Sequence, residues 1–246
     1  MSQAALVLWP ALAVGSFLNV VVARVPEHRS LGGRSACPAC SATIAWYDNL
    51  PVVSYLVLRG RCRHCKGRIS PLYPAVELTT AILIVAAFWR FGFTAYGALA
   101  AGFSTVLVAL SVIDLRHRIV PNRIVLPAAA VTLVAHTLIE PSPEWVLAAA
   151  GAAGFFLAAA LIYPAGLGMG DVKLALLLGA MLGQSVMVAI MLGFVAALVP
   201  SVVLFARHGT KARKMALPLV PFLALGSIVA LYWGSPLLGG YTSLFR

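Results

Sequence analysis

The sequence predicts an all-α polytopic membrane protein of about eight transmembrane helices, with a small insert between helices 1 and 2. Three observations lead there. Of the 246 residues, 61% are hydrophobic and only 10% charged, and the mean hydropathy is +0.96. Soluble domains keep about 25% charged residues to face water, so lipid must solvate much of this surface. Backbone groups in lipid need internal partners, which leaves helices or closed barrels. The apolar runs are continuous and rich in Ala, Leu and Val, without the period-two alternation of barrel strands. Last, the basic residues gather in alternate connections, as they do in bundles of membrane-crossing helices.

A span needs roughly 20 apolar residues to cross about 30 Å of hydrocarbon. The segments that qualify are 4–23, 75–89, 94–113, 124–139, 145–163, 171–184, 185–206 and 217–234. The sixth is short and parted from the seventh only by Gly183, Gln184 and Ser185. The first is not a secretory signal, because no basic stretch precedes its apolar run.

A net charge of +11 invites a nucleic-acid reading, but its placement argues otherwise. Arg24, Arg29, Arg34, Arg59, Arg61, Arg63, Lys66 and Arg68 lie between the first two segments. Arg116, Arg118 and Arg123 follow the third, Lys173 the fifth, and Arg207, Lys211, Arg213 and Lys214 the seventh. With eight spans these connections share one side, while the opposite side holds Arg90, Arg246, Glu140 and Glu144. The positive-inside rule assigns the basic side to the cytoplasm and puts both termini in the periplasm. The charge is topological, and the expected partner is the lipid bilayer, not nucleic acid.

This divides the chain into a first transmembrane helix over 1–23, a cytoplasmic insert over 24–73 and a transmembrane core over 74–246. Every cysteine is in the insert, as Cys37-Pro38-Ala39-Cys40 and Cys62-Arg63-His64-Cys65. Two C-x-x-C turns offer four thiolates to a tetrahedral metal, so we read a zinc-binding cytoplasmic insert between helices 1 and 2. The spacer of 21 residues is slightly longer than usual. Disulfides or unliganded thiols are the alternatives, and disulfides are disfavoured in a reducing cytoplasm. Four cysteine ligands exclude water from the metal, which makes the zinc structural. About 50 residues build little core of their own, so the metal would supply much of the folding free energy. His64 is read as a solvated loop residue.

The chain has seven acids. Glu27, Asp48, Glu140 and Glu144 belong to aqueous loops, whereas Glu77, Asp114 and Asp171 fall in or at the ends of apolar segments. Carboxylates are expensive there and usually have a function. Asp114 ends the third segment and Asp171 opens the sixth, inside Gly168-Met169-Gly170-Asp171, so the expected topology brings both to the cytoplasmic border. Facing carboxylates share one proton over a broad pH range. The ionised member can deprotonate an attacking water while the protonated one polarises a carbonyl. Singly, Asp114 could pair with Arg116 or Arg118, and Asp171 could cap its helix. Glu77 either contacts a ligand beside the insert or pairs with an arginine.

The chain resembles the bacterial bifunctional prepilin peptidases, which carry the Gly-x-Gly-Asp signature of intramembrane aspartyl peptidases. The resemblance rests on an ordered series. It begins with Gly15-Ser16-Phe17-Leu18-Asn19-Val20 and Arg24-Val25-Pro26. The first cysteine pair, Asp48-Asn49-Leu50-Pro51 and Arg59-Gly60-Arg61-Cys62 follow, then Tyr73-Pro74 and Val76-Glu77-Leu78. Asp114 through Pro121-Asn122 and Gly168 through Lys173 complete it. The resemblance implies cleavage of the basic leader from type IV prepilins or type II secretion pseudopilins, at the inner membrane's cytoplasmic face, with Asp114 and Asp171 catalytic. It also implies N-methylation of the new terminus with S-adenosylmethionine, an activity associated with the insert. Gly15, Asn19, Arg24, Pro26 and Glu77 are the matching positions for it. This chain departs from the common pattern at Asn122, where many members have aspartate, and at Leu72, where arginine is common. Rival readings are a peptidase without methyl transfer, a transporter that uses both aspartates as ion or proton sites, and an assembly protein whose insert docks partners.

Overall fold

The computed structural model describes residues 2–164, 166–209 and 217–243. Lys211, Arg213, Lys214 and Arg246, which entered the charge argument, lie outside them. Helices dominate: α1 (Ser2–Arg24), α2 (Val53–Val57), α3 (Leu72–Phe91), α4 (Ala95–His117), α5 (Asn122–Ile139), α6 (Glu144–Ile162), α7 (Met169–Leu182), α8 (Val186–His208) and α9 (Val220–Ser243). Short 3-10 turns occupy Trp46–Asn49 and Gly183–Ser185. No strand occurs among the described residues, only isolated bridges between Ala36 and Thr43 and between Arg61 and Arg68.

Each of the eight apolar segments falls on its own helix, α1 or one of α3 to α9. By length and composition, α1, α3, α4, α5 and α6 can each cross a membrane, as can the continuous stretch Met169–His208. That stretch contains both α7 and α8, and α9 adds a shorter apolar length over Val220–Gly234. With 14 residues, α7 rises only about 21 Å. The break after it is physical. Gly183 has φ +55°, in the left-handed region where glycine carries no Cβ penalty, and a helix cannot continue through it. Helix starts are set by proline: Pro71, Pro121 and Pro143 stand at the caps of α3, α5 and α6. A residue without an N–H suits a position whose donor would go unused.

The chain folds as two compact units, Met1–Ala109 and Leu110–Arg246, divided within α4. In the first, α1 packs along α3 and the insert joins them. In the second, α7 is the central helix, packed by α5 and α6, while α8 pairs with α9. Leu174, Ala175, Leu177 and Leu178 are fully buried, as expected of a helix apolar on every face. Large side chains on the outer helices, among them Val131, Leu138, Leu147, Leu161 and Val199, are exposed, which is lipid-facing surface in a membrane protein. Glu144, expected in an aqueous loop, instead caps the turn after α7, its Oε1 accepting the N–H of Gln184 at 3.0 Å.

Candidate active site and metal centre

Both transmembrane-border aspartates belong to the second unit. Asp114 lies one turn inside the C-terminal end of α4 and is 6% exposed. Its Oδ2 accepts the N–H of Val220 at 3.1 Å. That N–H belongs to the first residue of α9, one of the donors that a helix start leaves without an internal acceptor. Asp171 is the third residue of α7 and is half-buried. It is not the cap itself, the alternative the sequence left open. Gly168 occupies that position, and its N–H donates to Asp171 Oδ2 at 3.2 Å. Asp114 and Asp171 lie close enough for the charge of one to bear on the other, and the Arg118 charge reaches Asp114 as well. Neither aspartate forms a direct ion pair among the described residues.

The depth of Asp171 follows from helix lengths. The bond from Gln184 to Glu144 puts the end of α7 level with the start of α6. With 19 residues against 14, α6 rises about 28 Å and α7 about 21 Å. The start of α7 thus lies about 7 Å short of the far end of α6. Two contacts hold it there. Gly170 packs so tightly on the segment after α4 that a Cβ on it would lie 3.0 Å from Val120 Cβ. Lys173 Nζ donates to Asn122 Oδ1 at 2.8 Å, joining the second turn of α7 to the first residue of α5. Asn122 is one of the departures noted above, and here it acts as a neutral acceptor.

In the first unit the four cysteine sulfurs lie within 4.8 Å of one another. Cys37 and Cys62 are buried and Cys40 and Cys65 exposed. The two turns repeat one geometry. The N–H of Cys37 donates to Ala42 and that of Ser41 back to Cys37, just as Cys62 donates to Gly67 and Lys66 to Cys62. Ser41 and Lys66 both have φ of +58°. Cys37 Sγ and Cys65 Sγ are 3.9 Å apart, near the edge of about 3.8 Å that Zn–S bonds of about 2.3 Å give a tetrahedron. N–H donors from Ala39 and Cys40 bring the Cys37 thiol down to about 7, and those of Cys65 and His64 lower Cys62. Cys40 accepts an N–H from Ala42 that lowers it, yet desolvation and the Cys65 and Cys37 sulfurs push it up to about 11. Four crowded sulfurs resist joint ionisation without a cation among them, so the donor set fits a metal.

The five remaining candidates organise the insert. Gly15 lies against the backbone of Glu77, where a Cβ would come within 2.7 Å of Cα. Asn19 Nδ2 donates to the Tyr73 carbonyl at 3.1 Å. Arg24 donates to the carbonyls of Ser30 at 3.2 Å and Leu31 at 3.1 Å, to Gly32, and to Arg34 at 3.4 Å. Pro26 follows in the turn after α1. Glu77 is buried, with Ser16 and Asn19 beside it, and takes the Val52 N–H on Oε2 at 2.7 Å. It pairs with no arginine among the described residues. Sequence reasoning missed Val52 and Val220, because a backbone donor leaves no mark in the side-chain pattern. It also missed the Asp48–Arg63 pair, a fork of 2.6 Å to 3.1 Å that fastens the 3-10 turn to the second cysteine turn.

Comparison with known proteins places the chain in a family. Residues 10–91 match the bacterial peptidase A24 N-terminal domain, and residues 101–202 match the type IV leader peptidase family. A prepilin leader peptidase/N-methyltransferase of Xanthomonas campestris is 35% identical, over 94% of this chain and 91% of that protein. The protein of the same name from Bacillus subtilis is 34% identical over 95% of each chain. The one from Pseudomonas aeruginosa is 33% identical, over 94% of this chain and 90% of its own. No solved structure matches. With both halves matched in order and each relative covered almost end to end, the chain is a multi-pass inner-membrane protein that belongs to the type IV leader peptidase family.

Proposed function

We propose that this protein cleaves the leader peptide from prepilins or pseudopilins with Asp114 and Asp171, then methylates the new N-terminus. The reading is carried by one observation: two carboxylates, Asp114 buried near the end of α4 and Asp171 in the first turn of α7, lie within charge range of each other among apolar helices. A substrate helix delivered laterally from the bilayer meets them there, its basic leader on the cytoplasmic side. One aspartate, ionised, accepts a proton from the attacking water. The other, protonated, donates to the scissile carbonyl oxygen, and the leaving amine takes its proton as the tetrahedral intermediate collapses. The N–H donors of Val220 and Gly168 fix both carboxylates, so little reorganisation is needed.

Methyl transfer is supported by the names of the relatives. S-adenosylmethionine, the donor such names imply, supplies an electrophilic methyl group to an unprotonated amine. Among the positions implied by resemblance, Arg24, Asn19 and Glu77 spend their polar atoms on the insert and on α3. We assign them the task of positioning the insert against the end of α1. The four cysteines are assigned to structural zinc, on donor chemistry and spacing.

Co-expression with a prepilin, followed by intact-mass spectrometry of the product, reads both reactions at once. Asp114→Asn and Asp171→Asn should each leave the precursor uncut while the enzyme stays inserted and folded. A mature, methylated product from either variant would remove these residues from catalysis. Cleavage without the added methyl mass in the parent enzyme would leave the peptidase standing and reject the transferase. Anaerobically purified protein should hold about one zinc per chain, the stoichiometry of a four-thiolate site.

A further inference from the structure

We infer that the insert carries a membrane-docking surface for anionic lipid, built from the exposed face of α2 and the basic groove beside the second cysteine turn. The inference goes beyond the peptidase reading and does not depend on it.

Depth is the first argument. Val52, the residue before α2, is bonded to Glu77 at 2.7 Å. Glu77 is five residues into α3, a helix of 20 residues with the length of a span. Five residues rise about 7.5 Å, so α2 is tied at the depth of the headgroup and acyl boundary, where interfacial helices settle. Val53, Leu56 and Val57 stand at i, i+3 and i+4, one side of this helix, and are 39%, 68% and 70% exposed. On the other side Ser54 is buried, donating to Tyr47 O at 2.9 Å and accepting from Leu50 N at 3.0 Å. Ser54 faces the insert, Tyr55 is half-buried with its hydroxyl against Gly60, and the three aliphatic residues face out. Trp46, 78% exposed in the adjoining turn, adds the aromatic residue typical of membrane interfaces.

Charge is the second. Leu58, Arg59, Arg61, Cys62 and Lys66 line a groove next to this face. The insert has two acids, and both are already engaged, Glu27 with Arg29 and Asp48 with Arg63. Arg59, Arg61 and Lys66 are exposed and form no ion pair among the described residues. Three cations beside an apolar face at interface depth complement a phosphate headgroup whose acyl chains continue into the bilayer. A basic leader peptide, by contrast, would be repelled.

The test is amide hydrogen exchange of residues 53–61 in the full-length protein, in nanodiscs of phosphatidylcholine with or without phosphatidylglycerol. The amides of Leu56, Leu58 and Gly60 are bonded to backbone carbonyls and report directly. Each basic residue near an anionic surface strengthens binding about fivefold, so three give about 100-fold. Protection should rise by up to that factor with phosphatidylglycerol and fall as salt is added. R59Q/R61Q/K66Q should remove the lipid-dependent part, and the charge-conserving R59K/R61K should keep it. L56S/V57S should lower protection in both lipids. Unchanged exchange of residues 37–44 in each variant shows that the insert remains folded. Equal rates in the two lipids, a lipid effect that survives R59Q/R61Q/K66Q, or full reproduction of it by inorganic phosphate in phosphatidylcholine would each overturn the assignment.

Discussion

A methyl group added at Gly170 would press on Val120 at 3.0 Å from both Cβ and Cγ2, and neither atom is the end of a long, yielding side chain. The first turn of α7 would move away from the segment after α4, carrying Asp171 with it. Misplacing a catalytic group by about 1 Å can cost on the order of 100-fold in rate. Gly170→Ala should therefore slow prepilin cleavage by roughly 10- to 100-fold. Val120→Ala in the same chain should recover part of the loss, because it removes Cγ2, one of the two atoms at 3.0 Å, while Cβ stays. The check is a double-mutant cycle on single-turnover cleavage rates, with the melting temperature followed in parallel. Rates that fall equally in the single and double variants would mean that Gly170 matters for something other than this contact. The Gly-x-Gly-Asp run thus has a division of labour: Gly168 supplies the N–H that holds Asp171, and Gly170 allows the close approach. Asp114 depends on a different kind of neighbour, the N–H of Val220 at the start of α9, an end of a helix that favours negative charge.

The insert shows at the element scale how few contacts set its form. Each cysteine turn is closed by two backbone bonds, and the apolar core around them is small, so a metal held by the four thiols would make binding and folding one process. Cys37→Ser should abolish metal retention and expose the amides of both cysteine turns to exchange. The Asp48–Arg63 fork makes a smaller contribution. Hydrogen bonds from Arg63 hold the Asp48 carboxyl below the usual carboxylate range. A folded pKa below the unfolded one stabilises above the unfolded value, about 3.9, and the effect is lost as pH falls through the folded value. At neutral pH Asp48→Asn should destabilise the insert by about 0.5–1 kcal/mol, the scale of a partly exposed pair. Protection factors of residues 46–63 read this, and wild type and variant should converge in acid. The helices, the cysteine centre and both aspartates were legible in the sequence, because each leaves a side-chain signature: long apolar runs, paired thiols, carboxylates in hydrocarbon. The bonds that position them were not. Val52 to Glu77, Val220 to Asp114 and Gln184 to Glu144 all use a main-chain donor, and any residue type but proline carries one. Glu144 was read as a loop acid for the same reason.

For the whole molecule the open physical question is parity. Eight crossings return the C-terminus to the side of the N-terminus, and seven do not. The decision rests on the join between α7 and α8, which together form one apolar stretch of 40 residues. An unbroken helix of that length would be about 60 Å long, twice the hydrocarbon thickness. Gly183, with φ +55° and ψ −134°, breaks the helical path at its middle, and a 3-10 turn follows. Charge points the same way. Arg207, Lys211, Arg213 and Lys214 follow α8, and the bias of basic residues toward the cytoplasm puts them on the side assigned to the insert. If α7 and α8 crossed as one span, that basic run would be carried to the periplasm against the bias. The expected outcome is that an epitope placed between Lys211 and Ala212 resists protease in intact spheroplasts, while one after Arg246 is cleaved. The reverse pattern would mean that α7 and α8 cross together. The start of α7, where Asp171 lies, would then have to be reached from the side opposite the basic run.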